Sequence, residues 1–328
     1  MKKVLVTGAS GFVGRHLLEA LSASEVSTEA VYFSHPPQSD AAADVHVRWT
    51  KADLTAAPVD HLLPGVDTIF HLAGYAGLGT DPQTIANLET INVGMTRRVA
   101  RMAANAGCRL IYVSSIHAGD GDAQTPLVDE ENGKVLTRYG KSKRSAEDVL
   151  HSHAAEGLDY VILRPTQLFG EYHEGSLYEL VRAIQRRRFF LIGDGQNPTN
   201  FFYIKDFVNS LMLVASSDRT RQQTYVAANE PVPLRSLVRH IAEQLGVSPP
   251  RLGVPVDLGL FLGTCCDRLS GSLKVRLPLS RQRVLAMTRN VRYSTRKLER
   301  DIGVSTVYGP IRGLIRAMDW YRGSGLLN

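Results

Sequence analysis

Several protein classes are excluded by what the sequence lacks. Among its 328 residues there are three cysteines, Cys108 and the adjacent Cys265 and Cys266. They form no C-x-x-C pair and no disulfide framework, so reduced thiols and no metal centre are expected. Long apolar runs are missing too. The longest patch, LGVPVDLGLFLGTCC, carries Pro255 and Asp257 and is too short to span a bilayer. The opening MKKVLV is soon interrupted by Gly8 and Gly11, with no small-residue cleavage site after it. No membrane span and a soluble cytoplasmic protein are therefore expected. There is no internal repeat and no low-complexity linker. Charge of one sign is also thin: the net +6 suits an anionic small ligand. The one dense run, Arg186, Arg187 and Arg188 in RAIQRRRFF, reads as a solvated helix end, so nucleic-acid binding is not expected.

What is present is a chain long enough to bury a substantial core, with ordinary globular fractions of charged and apolar residues. Its first half alternates β-rich runs with helical patterns, the signature of parallel βαβ units. Strands are expected at 3–7, 30–34, 45–49, 67–73, 109–115 and 159–165, and helices at 12–22, 82–106 and 139–156. Runs that are apolar throughout, such as IFHLA, fit strands covered by helices on both faces. The fold class read from this is α/β: a Rossmann-like doubly wound parallel sheet with a smaller C-terminal α/β substrate domain. After Pro165 the rhythm loosens into longer polar loops and a helix over 176–188. The division expected is a cofactor domain over 1–167 and a substrate domain over 168–328, a boundary that interleaving of the two would blur.

The first strand runs into TGASGFVG, with glycines at Gly8, Gly11 and Gly14. Strand, glycine turn and helix in that order are the context a phosphate cradle needs. Gly8 lets the chain turn, Gly11 lets backbone approach a pyrophosphate, and Gly14 lets the helix pack closely on the sheet. The helix N-terminus supplies free N–H groups and partial positive charge. A nicotinamide dinucleotide is the expected ligand. The second strand ends in Tyr32-Phe33-Ser34-His35, with no acid to select the ribose hydroxyls of NAD and no arginine to attract the 2′-phosphate of NADP, so NAD and NADP both stay open. Asp53, in KADL, stands where it would meet the adenine.

In LTRYGKSKRSAEDVL, Tyr139 and Lys143 are four apart and share one helix face. With Ser115 at the end of RLIYVSS they complete a proton-transfer set. Lys143 would stabilise a Tyr139 phenolate and hold the nicotinamide ribose, Tyr139 would exchange a proton with an alcohol or ketone, and Ser115 would orient the same oxygen.

In order, TGASGFVG, ADL, FHLAG, Asn92 in TINVG, YVSS, YGKSK, LRPTQLFG and FFYIKD resemble the extended short-chain dehydrogenase/reductase superfamily, in its NAD-dependent epimerase/dehydratase branch. The resemblance covers essentially the whole chain. It implies an enzyme with Ser115, Tyr139 and Lys143 as catalytic residues, and a homodimer made through a helix bundle. It also implies a cofactor pocket lined by His71 to Gly74 and, at the nicotinamide, Pro165. The cofactor-binding set is then Gly8, Ser10, Gly11, Phe12, Val13, Gly14, Ser34, Asp53, Leu54, Leu72, Ala73, Gly74, Asn92, Tyr139, Lys143 and Pro165.

Departures from the pattern bear on the substrate. The 4,6-dehydratases place an Asp-Glu pair after the catalytic hydroxyl residue, where this chain has Ile116-His117. Nucleotide-sugar enzymes carry an Asn after the sixth strand, where Gln167 stands, and an Arg seven residues before the Asp of FFYIKD, where Thr199 stands. Arg281, Arg283 or Arg289 would have to supply that charge. His117, Gln167 and Arg283 are the candidate substrate contacts. The leading reading is a nucleotide-sugar 4-epimerase or 4-ketoreductase. The second is a 3β-hydroxysteroid dehydrogenase-like enzyme on a bulky apolar alcohol or ketone, its cleft lined from VPVDLGLFLG. A third, a regulatory protein that kept the fold and lost turnover, is disfavoured by the intact Ser/Tyr/Lys set.

Overall fold

The computed structural model describes residues 1–36, 44–77, 79, 81–119, 127–128, 135–250, 253–273, 280–303 and 306–327. Seven strands form one parallel sheet: β1 (Lys3–Thr7), β2 (Ser27–Tyr32), β3 (Val47–Lys51), β4 (Thr68–His71), β5 (Arg109–Val113), β6 (Tyr160–Pro165) and β7 (Gln223–Ala227). Their spatial order is β7-β6-β5-β4-β1-β2-β3, every pairing parallel. The order reverses between β1 and β4, and such a switch point opens a crevice at the strands' carboxyl ends. Along β1 the side chains alternate between two cores. Val4 and Val6 join Leu17, Leu21, Phe207 and Leu211 on one face, while Leu5 joins Val99, Ala103 and Leu150 on the other. That double coverage is why the central strands are apolar throughout, as the sequence implies.

The helices are α1 (Phe12–Ala23), α2 (Pro82–Asn87), α3 (Thr96–Ala106), α4 (Arg138–Ala154), α5 (Ser176–Gln185), α6 (Ile204–Ser216), α7 (Leu234–Leu245), α8 (Val256–Leu273), α9 (Arg281–Thr288), α10 (Arg296–Ile302) and α11 (Gly309–Gly323). The helix expected over 82–106 is interrupted: residues 88–95 between α2 and α3 wind as a π-helix that carries Asn92. Such wide turns recur at functional sites. β2 starts three residues and ends two residues before its expected position, and β3 starts and ends two residues after its own, because pairing of β2 with β1 and of β3 with β2 sets their register. β7, which no pattern in the loosely ordered second half revealed, returns to the sheet beside β6, and α6 packs against α1. The arginine run stands exposed just past the end of α5.

The second half is tied down by FFYIKD. Residues 201–203 pair with 167–169, and Asp206 is fully buried. Its Oδ1 accepts from the backbone N–H groups of Val307 and Tyr308 at 2.8 and 2.9 Å, and its Oδ2 accepts from Gly309 at 2.9 Å. The carboxylate thereby satisfies orphan donors at the start of α11 and locks that helix onto the first turn of α6, about a hundred residues earlier.

Candidate active site

The glycine turn is built by backbone constraint. Gly8 has φ +68°, and a Cβ there would lie 2.7 Å from Ala73 N. A Cβ on Gly14 would lie 2.4 Å from Ala9 O. Both positions are closed to side chains by the protein itself. Gly11 differs: it is exposed, caps α1, and a Cβ there would meet only Gly8 O, at 3.2 Å. Nothing in the chain requires a glycine there as strongly, so the open space at the helix start suits an anionic group approaching the backbone. The first turn of α1 carries no acidic side chain to oppose one. Ser10, Phe12 and Val13 are half-buried around it, and the Phe12 ring stacks on His173 at 4.4 Å.

The adenine side is more open. Ser34 is exposed and hydrogen-bonded to His35 Nδ1 at 2.9 Å. Asp53 accepts from Thr55 Oγ1 at 2.6 Å and Thr55 N at 2.8 Å, which lowers its pKa. Leu54 is buried behind it, and its carbonyl accepts from Arg98.

From the turn, a series of close contacts leads to Ser115, Tyr139 and Lys143. Ala73 lies against Gly8, and next to it Gly74 is exposed; a Cβ on Gly74 would stand 3.3 Å from Asn92 Oδ1 and 3.8 Å from Lys143 Nζ. Asn92 is buried. Its Oδ1 accepts from Tyr75 N at 2.8 Å, and its amide donates to Tyr75 O and to Ser142 Oγ, both at 2.9 Å. It pins the segment after β4 to α4. His71 is fully buried between Thr7 Oγ1 at 2.7 Å and Thr96 Oγ1 at 3.0 Å. Burial, aided by the Lys143 charge, lowers its pKa to about 3, so it bridges β1 to α3 as a neutral imidazole.

Ser115, Tyr139 and Lys143 come together because α4 starts against the turn that follows Ser115. Thr137 caps α4, accepting from Gly140 N at 2.9 Å. A Cβ on Gly140 would sit 2.2 Å from His117 O, so only glycine after Tyr139 lets the helix approach this closely. Tyr139 is raised in pKa by burial, an effect opposed by its hydrogen bond with Ser115. Lys143 is 4% exposed; its Nζ donates to Val113 O at 2.8 Å and lies 4.4 Å from the Tyr112 ring centre. Burial lowers Lys143 to about 7, against the pull of Glu147. A cationic lysine one turn from a buried tyrosine is the arrangement that stabilises a phenolate.

Beneath this corner lies an ion-pair network that motif reading did not find. Glu147 is fully buried and accepts from Ser114 Oγ at 2.5 Å, from Arg164 Nε at 2.9 Å and from Arg164 Nη2 at 2.6 Å. Arg144 donates to Ala118 O at 2.8 Å and steadies the turn after Ser115. The available signal was Arg164 itself, a charge inside the otherwise apolar strand YVILRP, which demands a buried partner.

Of the candidate substrate contacts, His117 stands beside the site, its ring edge-on to Tyr139 at 6.0 Å. Pro165 ends β6, and exposed Gln167 just beyond it donates to Ser176 Oγ at 2.6 Å. Thr199 is half-buried and donates to Val232 O at 2.7 Å. Arg283 lies exposed in the first turn of α9, a separate element from the proton-transfer corner. No group of three or more metal-ligating side chains occurs among the described residues.

With this geometry established, known proteins give a consistent picture. The family model for the NAD dependent epimerase/dehydratase family matches residues 4–228. The chain is 28% identical to an N-acetyl-alpha-D-glucosaminyl-diphospho-ditrans,octacis-undecaprenol 4-epimerase of Escherichia coli O157:H7, over 97% of this chain and 94% of that protein. It is 26% identical to a 2-alkyl-3-oxoalkanoate reductase of Stenotrophomonas maltophilia (strain K279a), over 92% of this chain and 94% of that one. The structure of MoeE5 in complex with UDP-glucuronic acid and NAD superposes with a TM-score of 0.74 at 25% identity, covering 98% of this chain and 99% of that one. The glycine cradle, the Tyr/Lys helix and these matches agree: the chain belongs to the NAD-dependent epimerase/dehydratase family and is an enzyme of the extended short-chain dehydrogenase/reductase type.

Proposed function

We propose that the protein is a 4-epimerase or 4-ketoreductase of a diphosphate-linked sugar, a nucleotide sugar in the first instance, using NAD. The observation that carries the reading is the meeting of Ser115, Tyr139 and Lys143 beside the segment that adjoins the glycine turn. The turn 8–14 and the start of α1 would hold the pyrophosphate, Asp53 and Ser34 the adenosine side, and Lys143 the nicotinamide ribose, with Leu72 to Gly74, Asn92 and Pro165 as the walls. When bound, the dinucleotide accepts and returns a hydride. Tyr139 takes or gives the hydroxyl proton, Ser115 holds the same oxygen, and the Lys143 charge stabilises the phenolate. His117, Gln167 and Arg283 are the side chains assigned to the substrate. The division of labour is cofactor on 1–167 and substrate on 168–328, with β7 interleaved, in a cytoplasmic homodimer. Relatives and neighbours that handle diphosphate-linked sugars support this reading.

A second reading, reduction of a bulky apolar ketone, is favoured by Thr199 where a sugar-diphosphate enzyme of this kind would carry an arginine, and by the alkanoate reductase relative. Two measurements separate them. Incubation with UDP-glucose or UDP-N-acetylglucosamine should yield the C4 epimer by NMR under the epimerase form of the first reading and no conversion under the second. Native mass spectrometry should find NAD retained in the purified protein if it is recycled within each turnover, and an empty site if it exchanges every cycle.

A further inference from the structure

Helix α8 is oriented unlike the other helices. Its packed face is glycine: a Cβ on Gly263 would lie 2.7 Å from Arg281 N, and one on Gly259 would lie 3.1 Å from Ile192. Four of its large apolar side chains lie on another face. Leu258, Phe261, Leu262 and Leu269 follow helical spacing along one stripe and are 48%, 64%, 40% and 51% exposed. With Val256 and Leu285 they make six of the fourteen exposed large apolar side chains among the described residues, so such side chains are concentrated on α8 and α9.

The same stretch holds the chain's charge. Residues 251–292 contain eight basic and two acidic residues, while the rest of the chain contains thirty of each, so the whole net +6 belongs to this stretch. One of the two acids, Asp267, already accepts from Arg281 N at 3.0 Å. No described helix is long and apolar enough to cross a membrane. α8 itself carries Asp257, Asp267 and Arg268, and among the described residues the basic excess lies in the adjoining residues 280–292, with Arg281, Arg283, Arg289 and Arg292 and no acid. An apolar stripe on a non-spanning helix beside such a basic segment is the composition of an element lying in the interface of an anionic bilayer.

We infer that α8, with the arginines of residues 280–292, docks the enzyme on the surface of an anionic phospholipid bilayer. Charge complementarity selects this occupant. A second copy of the chain meeting this face symmetrically would set two basic surfaces against each other. Leu258 and Phe261 would enter the headgroup region while arginines such as Arg268 and Arg281 meet the lipid phosphates. The inference does not depend on which substrate is used, and its test contains none.

The test is vesicle flotation with the full chain. Binding to vesicles with about 30 mol% phosphatidylglycerol should exceed binding to phosphatidylcholine alone by about tenfold or more, since each basic residue near an anionic surface adds attraction. Raising salt from about 50 mM to about 500 mM should remove most of that preference. The double substitution Leu258→Ser and Phe261→Ser should reduce binding about tenfold. Its thermal midpoint and NAD affinity, measured alongside, should stay at the wild-type values. Failure to bind, or equal binding to neutral vesicles, overturns the inference on the wild-type protein alone. So does a double variant that binds vesicles as before but dissociates from dimer to monomer or raises KM for a soluble substrate, which would assign the stripe to a protein interface or to the cleft.

Discussion

The glycine turn and the corner that holds Ser115, Tyr139 and Lys143 adjoin one another and are built differently. The turn is shaped by backbone: Gly8 and Gly14 are held by contacts under 3 Å that no side chain could survive. The corner needs one such glycine, Gly140, but is otherwise shaped by side chains, above all the buried Glu147–Arg164 pair beneath Ser114 and α4. A backbone device tolerates one residue type and leaves a mark in the sequence. A side-chain device depends on partners distant in the chain, and each residue alone looks ordinary.

This contrast can be broken deliberately. The largest effect on stability should come from Glu147→Leu, which strands Arg164 in the interior and should cost about 3–5 kcal/mol by urea unfolding. Adding Arg164→Met should recover much of that, because the unpaired charge goes with it; no recovery would show that the pair does more than neutralise itself. Next come the glycines. Gly14→Val should destabilise by about 3 kcal/mol, the upper end for overpacking. Gly11→Val should fold within about 1 kcal/mol of wild type yet lose NAD affinity by about a hundredfold, since backbone approach to the pyrophosphate is blocked. Equal affinity in the Gly11 variant, read by calorimetric titration, would remove the pyrophosphate from this turn.

The smallest effect is in pH dependence. Lys143 is lowered to about 7 by burial, so the unfolded chain binds its proton more readily between about pH 7 and the ordinary lysine range. Its contribution to stability therefore rises with pH across that window. Lys143→Met should flatten the slope of unfolding free energy there, with the gain over wild type greatest at neutral pH. An unchanged slope would mean that the lysine is not desolvated.

The same contrast explains what could be read in the sequence. Sheet, glycine turn and the Tyr139/Lys143 spacing were legible because they rest on local periodicity and on residues with one conformational use. The π-helical break at 88–95 was not, since LETINVGM continues the helical pattern and the wide turn is accompanied by contacts from Asn92 to Tyr75 and Ser142. β7 was missed because QTYVA gains its place only by pairing with β6. Asp206 was noticed as part of a motif, but its work, capping α11 across the chain, is purely tertiary.

The central claim is that Tyr139 moves the proton while the cofactor is held mainly by the glycine turn, the adenosine side and Lys143. Tyr139→Phe, assayed with the sugar substrate and titrated with NAD in parallel, tests it most directly. The expected result is turnover lower by about 10²–10⁴-fold, the usual share of general acid–base catalysis, with NAD affinity nearly unchanged. Turnover within a few-fold of wild type, with affinity intact, would contradict the claim.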